Sequence, residues 1–75
     1  MTTLGRITSA ADLGFFVQKI RTSHNLTQRQ LAEQLGITQR YLSELEAGKP
    51  KRADDKYFTV LSKLGVKLTA EANLE

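Results

Sequence analysis

The sequence predicts an all-α fold, a bundle of about four short helices followed by one short C-terminal strand. Three observations predict the helices. Apolar residues recur at the i, i+3, i+4, i+7 spacing of amphipathic helices, in segments separated by polar or glycine-bearing breaks. A residue able to cap a helix N-terminus stands before each segment: Ser9, Thr27, Thr38, and either Asp54 or Asp55. A residue that tolerates a left-handed backbone follows each one: Asn25, Gly36, Gly48 and Gly65. The stretch Val66, Lys67, Leu68, Thr69 alternates apolar and polar instead, the pattern of a half-buried strand.

Residues 1–9 have no periodicity and form a flexible lead-in, with Leu4 and Ile7 available to pin it to the core or to a second subunit. Ser9 and Asp12 resemble a capping box in which Asp replaces Glu. They open a helix over 10–23 whose buried stripe is Leu13, Phe16, Val17 and Ile20, and which Asn25 ends. Thr27 and Gln30 form a second capping box, and the helix over 28–35 turns Leu31, Ala32 and Leu35 inward. Gly36 takes the sharp turn that follows, where a positive φ is free of penalty only for glycine. Ile37 plugs the corner beneath it. Thr38 caps a third helix over 39–47, Gly48 closes it, and Pro50 keeps it from resuming. After a charged loop, the fourth helix runs to residue 64 with Tyr57, Phe58, Val60, Leu61 and Leu64 facing inward. A lone strand cannot satisfy its own backbone. The same segment of a second copy is therefore the expected partner, and Val66 and Leu68 are the expected dimerisation residues.

At 75 residues the chain is one small domain, near the lower limit at which a core holds a fold unaided. It has no cysteine, which rules out disulfides and thiolate metal sites and fits a reducing cytoplasm. The apolar run from Leu13 to Val17 is far too short for a signal core or a membrane span. His24 is the single histidine, at a helix end where a solvated or capping role suits it. Neither a paired-carboxylate pattern nor a phosphate-cradling glycine loop accompanies it. The expectation is a protein that is not an enzyme, with no cofactor, no metal and no room for a small-molecule sensor. Phe15 and Phe16 read as core and dimer surface.

Charge points to the partner. The formal net charge is +3, and the sequence pI is about 9.5. From residue 19 to residue 52 the basic Lys19, Arg21, Arg29, Arg40, Lys49, Lys51 and Arg52 outnumber the acidic Glu33, Glu44 and Glu46. The excess flanks the second and third helices, with Lys19 and Arg21 before them and Lys49, Lys51 and Arg52 after them. On a wheel at ~100° per residue, Tyr41, Leu42 and Leu45 cluster on one side of the third helix. Gln39, Arg40, Ser43, Glu44 and Ala47 take the other. Gln and Arg make paired hydrogen bonds to adenine and guanine edges in the major groove. Their place in the first turn suits a helix that enters the groove N-terminus first. The plain alternative is a solvated helix face. The short glycine-turned helix pair and its cationic flanks weigh against that.

The run LTQRQLAEQLGITQRYLSELEAGK carries Gln28, Ala32, Gly36, Leu42 and Leu45 at helix-turn-helix spacings. It resembles the phage-repressor-like, XRE-type helix-turn-helix family, over about residues 12–64 and most specifically over 26–49. The resemblance implies a lambda-repressor-like bundle (10–64) with its motif at 28–47 and its recognition helix at 39–47. It also implies that the family's fifth helix is replaced here by the strand in 65–75. It makes Gln28 a phosphate contact, Gln39, Arg40 and Glu44 base contacts, and Arg21 and Glu46 a structural ion pair between the first and third helices. Asn25 stands where the family commonly has glycine. The leader ITSAADLGFFVQKIR and the tail LGVKLTA further resemble HipB-type antitoxins, which implies a homodimer that also binds a HipA-like kinase toxin.

The expected function is sequence-specific repression at double-stranded operator DNA, in a cytoplasmic antitoxin that regulates its own operon. Base contacts fall to Gln39, Arg40, Ser43 and Glu44. Phosphate contacts fall to Gln28, Arg29, Thr38, Tyr41, Lys49, Lys51 and Arg52. Glu44 has three open roles: accepting from a cytosine amine, repelling phosphate at wrong sites, or none. The competing readings are a stand-alone phage-type repressor and a protein-bridging module with weak DNA affinity.

Overall fold

The computed structural model describes residues 4–49 and 53–73, and these form four helices. In order they are α1 (Ala10–Ser23), α2 (Gln28–Leu35), α3 (Gln39–Glu46) and α4 (Asp55–Lys63). Each begins at a side chain that accepts from the backbone N–H three residues on: Ser9, Thr27, Thr38 and Asp54. Such caps contribute about 1 kcal/mol apiece. The Thr27–Gln30 pair is a complete capping box, with Gln30 Oε1 accepting from the Thr27 N–H at 2.9 Å. The Ser9–Asp12 pair is not. Asp12 Oδ2 accepts from the backbone N–H and the hydroxyl of Thr8 at 3.0 and 2.6 Å, one residue before the cap.

The helix ends repeat one device. After α1, the Asn25 and Leu26 N–H groups bond back to the Thr22 and Arg21 carbonyls, with Asn25 at φ 58°. Corresponding bond pairs close the other three helices. Gly36, at φ 71°, is the turn of the α2–α3 pair. A side chain there would meet no neighbour, so conformation alone selects glycine.

Leu42 and Leu45 of α3 lie at the centre of the core, which Leu13 and Val17 of α1, Leu31, Ala32 and Leu35 of α2, and Val60 and Leu61 of α4 complete. α3 packs against both α1 and α2. The α1–α3 approach is close enough to select glycine on each side. A Cβ on Gly14 would lie 2.3 Å from the Leu45 carbonyl oxygen, and one on Gly48 would lie 2.5 Å from Ala11 Cα. Neither contact follows from periodicity, which reads apolar faces and not backbone approach.

Three expectations fail. The strand at residues 66–69 does not form: residues 66–73 are irregular. A strand needs a ladder, the single chain offers none, and the Val66 N–H turns back to the Leu61 carbonyl at 3.0 Å. Val66 instead packs against the core edge while Leu68 stays 48% exposed. Phe58 faces outward at 47% exposure, since Val60 and Leu61 already fill the space beneath α4. Phe16 and Ile20 are only half-buried. They line a groove of about 520 Å³ with Leu4, Ile7, Val66 and Leu68. The backbone at Gly5 runs against the Phe16 ring, so the described part of the lead-in lies on α1. Among the described residues, no helix is long and apolar enough to cross a membrane.

Candidate nucleic-acid interface

The geometry of the helix pair rests on one buried cluster. Glu46, 8% exposed, is the buried charged residue at the end of α3. Its Oε2 accepts from Arg21 Nε at 2.7 Å, and its Oε1 accepts from Arg21 Nη2 at 3.1 Å and from Gln28 Nε2 at 3.0 Å. Arg21 also donates through Nη1 to the Leu26 carbonyl at 2.8 Å, in the α1–α2 connection. One carboxylate thus ties α1, the loop after it, and the first turn of α2 to the last turn of α3. No buried side-chain polar atom among the described residues lacks a hydrogen-bond partner, so the charge is compensated where it sits. The angle between α2 and α3 is held by Gly36 at one end and by this cluster at the other.

The cluster settles which way α3 faces. With Leu42, Leu45 and Glu46 buried, Gln39, Arg40, Ser43 and Ala47 are exposed on the opposite side, and Glu44 is partly exposed beside them. The Arg40 side chain is 90% exposed and its Nε lies 3.5 Å from Glu44 Oε1, one turn along the helix. Thr38 is exposed at the N-terminus of α3, its hydroxyl oxygen accepting from the Tyr41 N–H at 3.0 Å. Arg29 lies on the open face of α2, 3.9 Å from Glu33, and Lys49 is exposed just after α3. Gln28 is half-buried, with its amide engaged by Glu46. Lys51 and Arg52 lie outside the described residues.

One cation escaped the sequence reading. Lys56, in the first turn of α4, places Nζ 4.5 Å from the centroid of the Tyr41 ring. That is cation–π range. It sets an exposed cation on α4 beside Tyr41 of α3. The signal was present, a lysine two residues after a capping aspartate, but its partner lies 15 residues away in sequence. Burial, then the Asp54 carboxylate and Tyr57, push the Tyr41 phenol above its ordinary value of 10.0. It therefore remains an O–H donor at neutral pH.

A glycine-turned helix pair locked by a buried ion pair, with amide and guanidinium groups on the open face of its second helix, defines the class of helix-turn-helix DNA-binding proteins. Comparison with known proteins places the chain within it. A family model described as helix-turn-helix matches residues 17–70, and the chain belongs to that family. It is a DNA-binding transcriptional regulator of the helix-turn-helix type. It is 42% identical over 60 residues to an uncharacterized HTH-type transcriptional regulator, y4mF, of Sinorhizobium fredii, covering 80% of this chain and 79% of that one. Among solved structures it is similar to the HipB–O4 20mer complex (TM-score 0.74, 25% identity, 92% of this chain and 97% of the other). It also shares the fold of a chain in the HipA–HipB–O2–O3 complex (TM-score 0.73, 24% identity, 95% and 100%).

Proposed function

We propose that this chain is a sequence-specific repressor that binds double-stranded operator DNA as a homodimer. In this reading it is the cytoplasmic antitoxin of a HipA-like kinase toxin and controls the operon the two share. It acts by binding and catalyses no reaction. The observation that carries the DNA reading is the outward face of α3, where Gln39, Arg40 and Ser43 are exposed on a helix anchored through Leu42, Leu45 and Glu46.

Gln39 and Arg40 reach base edges in the major groove, and Ser43 reaches a base or a phosphate one turn on. Arg29, Lys49, Lys51 and Arg52 supply the salt-sensitive phosphate contacts. The Thr38 hydroxyl, the Tyr41 phenol and the Gln28 amide add neutral donors that fix register. Two copies set their α3 helices ~34 Å apart, one turn of DNA, on a near-palindromic site. The antitoxin part is supported by likeness to HipB, which is found in complexes with operator DNA and with HipA. Val66 and Leu68, at the edge of the groove beside the lead-in, are the dimer residues in this reading.

Binding to promoter DNA from its own operon, in ~150 mM salt with competitor, tests the DNA half. A repressor prefers that duplex to a scrambled one. A protein-bridging module binds both near background, which would overturn the repressor reading. Co-purification with a kinase-like neighbour, or its failure when both are co-expressed, decides the antitoxin half.

A further inference from the structure

Two intrahelical ion pairs decorate the motif, and they differ in a way that helix stability alone does not explain. Arg29 and Glu33 on α2 are both open to solvent, with side chains 81% and 73% exposed and 3.9 Å between charged atoms. On α3 the distance is shorter, 3.5 Å, and the two partners are unequal: Arg40 is 90% exposed whereas Glu44 is 34% exposed. The carboxylate is the partly buried partner and the guanidinium the exposed one. The atom that Glu44 approaches is Nε, the nitrogen nearest the helix. A carboxylate that approaches an arginine through Nε can leave the two terminal nitrogens to a second acceptor. Two parallel N–H groups are what the O6 and N7 acceptors of guanine require in the major groove.

We propose that Glu44 is a positioning residue for base reading, which holds Arg40 by Nε so that its two terminal nitrogens present as a fork, and that it touches no base itself. The proposal rests on the reading that Arg40 contacts a base. The physical reason is orientational. An arginine has four rotatable side-chain bonds, and a free one must be ordered when it docks. A carboxylate seated one turn along removes part of that ordering and strengthens the charge-assisted bonds once water is displaced. The same carboxylate repels phosphate, so Glu44 lowers affinity for every duplex while raising the contrast between right and wrong bases. A net gain in specificity at a cost in affinity separates a positioning carboxylate from a helix-stabilising one.

The test uses the full chain and a duplex that wild-type protein enriches from a randomised double-stranded pool, with the full set of single-base-pair variants and a scrambled duplex. Glu44→Gln removes the charge and keeps the size. It is expected to relax preference at one base-pair position of each half-site by about three- to tenfold while binding the scrambled duplex more tightly. Arg40→Ala is expected to relax the same position, and in that background Glu44→Gln should change selectivity no further. Glu33→Gln, the equal charge change on α2, is the control and should shift selected and scrambled duplexes alike. If Glu44→Gln relaxed a different position from Arg40→Ala, Glu44 would itself read a base and the positioning role would be wrong. If Arg40→Ala relaxed a position and Glu44→Gln relaxed none, the positioning role would fail and base reading by Arg40 would stand. If neither relaxed any position, both readings would fail together.

Discussion

Replacing Gly14 with alanine isolates the contact that seats the reading helix. Two effects oppose each other. Alanine is the better helix former by about 1 kcal/mol, and position 14 lies inside α1. Against this, the added methyl would lie 2.3 Å from the Leu45 carbonyl oxygen and 2.6 Å from that of Glu46. A carbon meets a carbonyl oxygen comfortably at roughly 3.3 Å, so the helices must part by about 1 Å. Both neighbours are main chain, and the end of α3 is held by Arg21 and Gln28 through Glu46, so no side chain can swing aside. Overpacking of this kind costs about 1–3 kcal/mol, and two backbone contacts place Gly14 at the upper end. The net loss is about 2 kcal/mol, a fall in Tm of roughly 8–16 °C for a domain this small. Thermal unfolding followed by far-UV circular dichroism measures it. A Gly14→Ala protein melting at or above wild type would mean that helix propensity wins and that the close α1–α3 crossing is not what holds α3.

Other perturbations follow from the same geometry. Glu46→Gln leaves Arg21, whose side chain is only 11% exposed, without its counter-charge. Urea unfolding should show a loss of about 3 kcal/mol, and the double change to leucine at both positions should lose markedly less. Thr27→Ala removes the α2 capping box and should cost about 1 kcal/mol in the same assay. Hydrogen bonds from the Thr8 hydroxyl and backbone hold the Asp12 carboxyl below its ordinary 3.8. Its contribution is therefore full above that pH and is lost as pH falls through the depressed value. The stability gap between wild type and Asp12→Ala should close on acidification, and a gap independent of pH would show that the carboxylate charge plays no part. Lys56→Ala should weaken binding to all duplexes alike and flatten the salt dependence, if the cation over Tyr41 serves the DNA surface.

Much of this was readable from residues alone, and the boundary between what was and was not is physical. Capping side chains and left-handed residues act within four positions of the chain, so Ser9, Thr27, Thr38, Asn25 and Gly36 mark the helix ends directly. Leu42 and Leu45 fall on one face of α3 by periodicity, which placed Arg40 and Ser43 outward before any tertiary information. What escaped depends on through-space neighbours. Gly14 and Gly48 look like ordinary small residues until two backbones are brought together. Glu46 could be placed beside the apolar face, and family resemblance paired it with Arg21, but the third arm from Gln28 needed the α2–α3 angle. Phe58 falls in the apolar pattern of the fourth helix, yet Val60 and Leu61 take its inward positions. The strand at 66–69 was inferred from alternation, a pattern that marks a strand only where a ladder partner exists.

The central claim is that α3 reads base edges through Arg40, and base chemistry tests it most directly. Each guanine of the selected duplex is replaced in turn by 7-deazaguanine, which removes the major-groove N7 acceptor and keeps pairing and phosphate charge. Wild-type protein is predicted to lose about five- to tenfold in affinity at one guanine of each half-site, while Arg40→Ala is indifferent to the same replacement. Equal binding of wild type to every substituted duplex would contradict the claim.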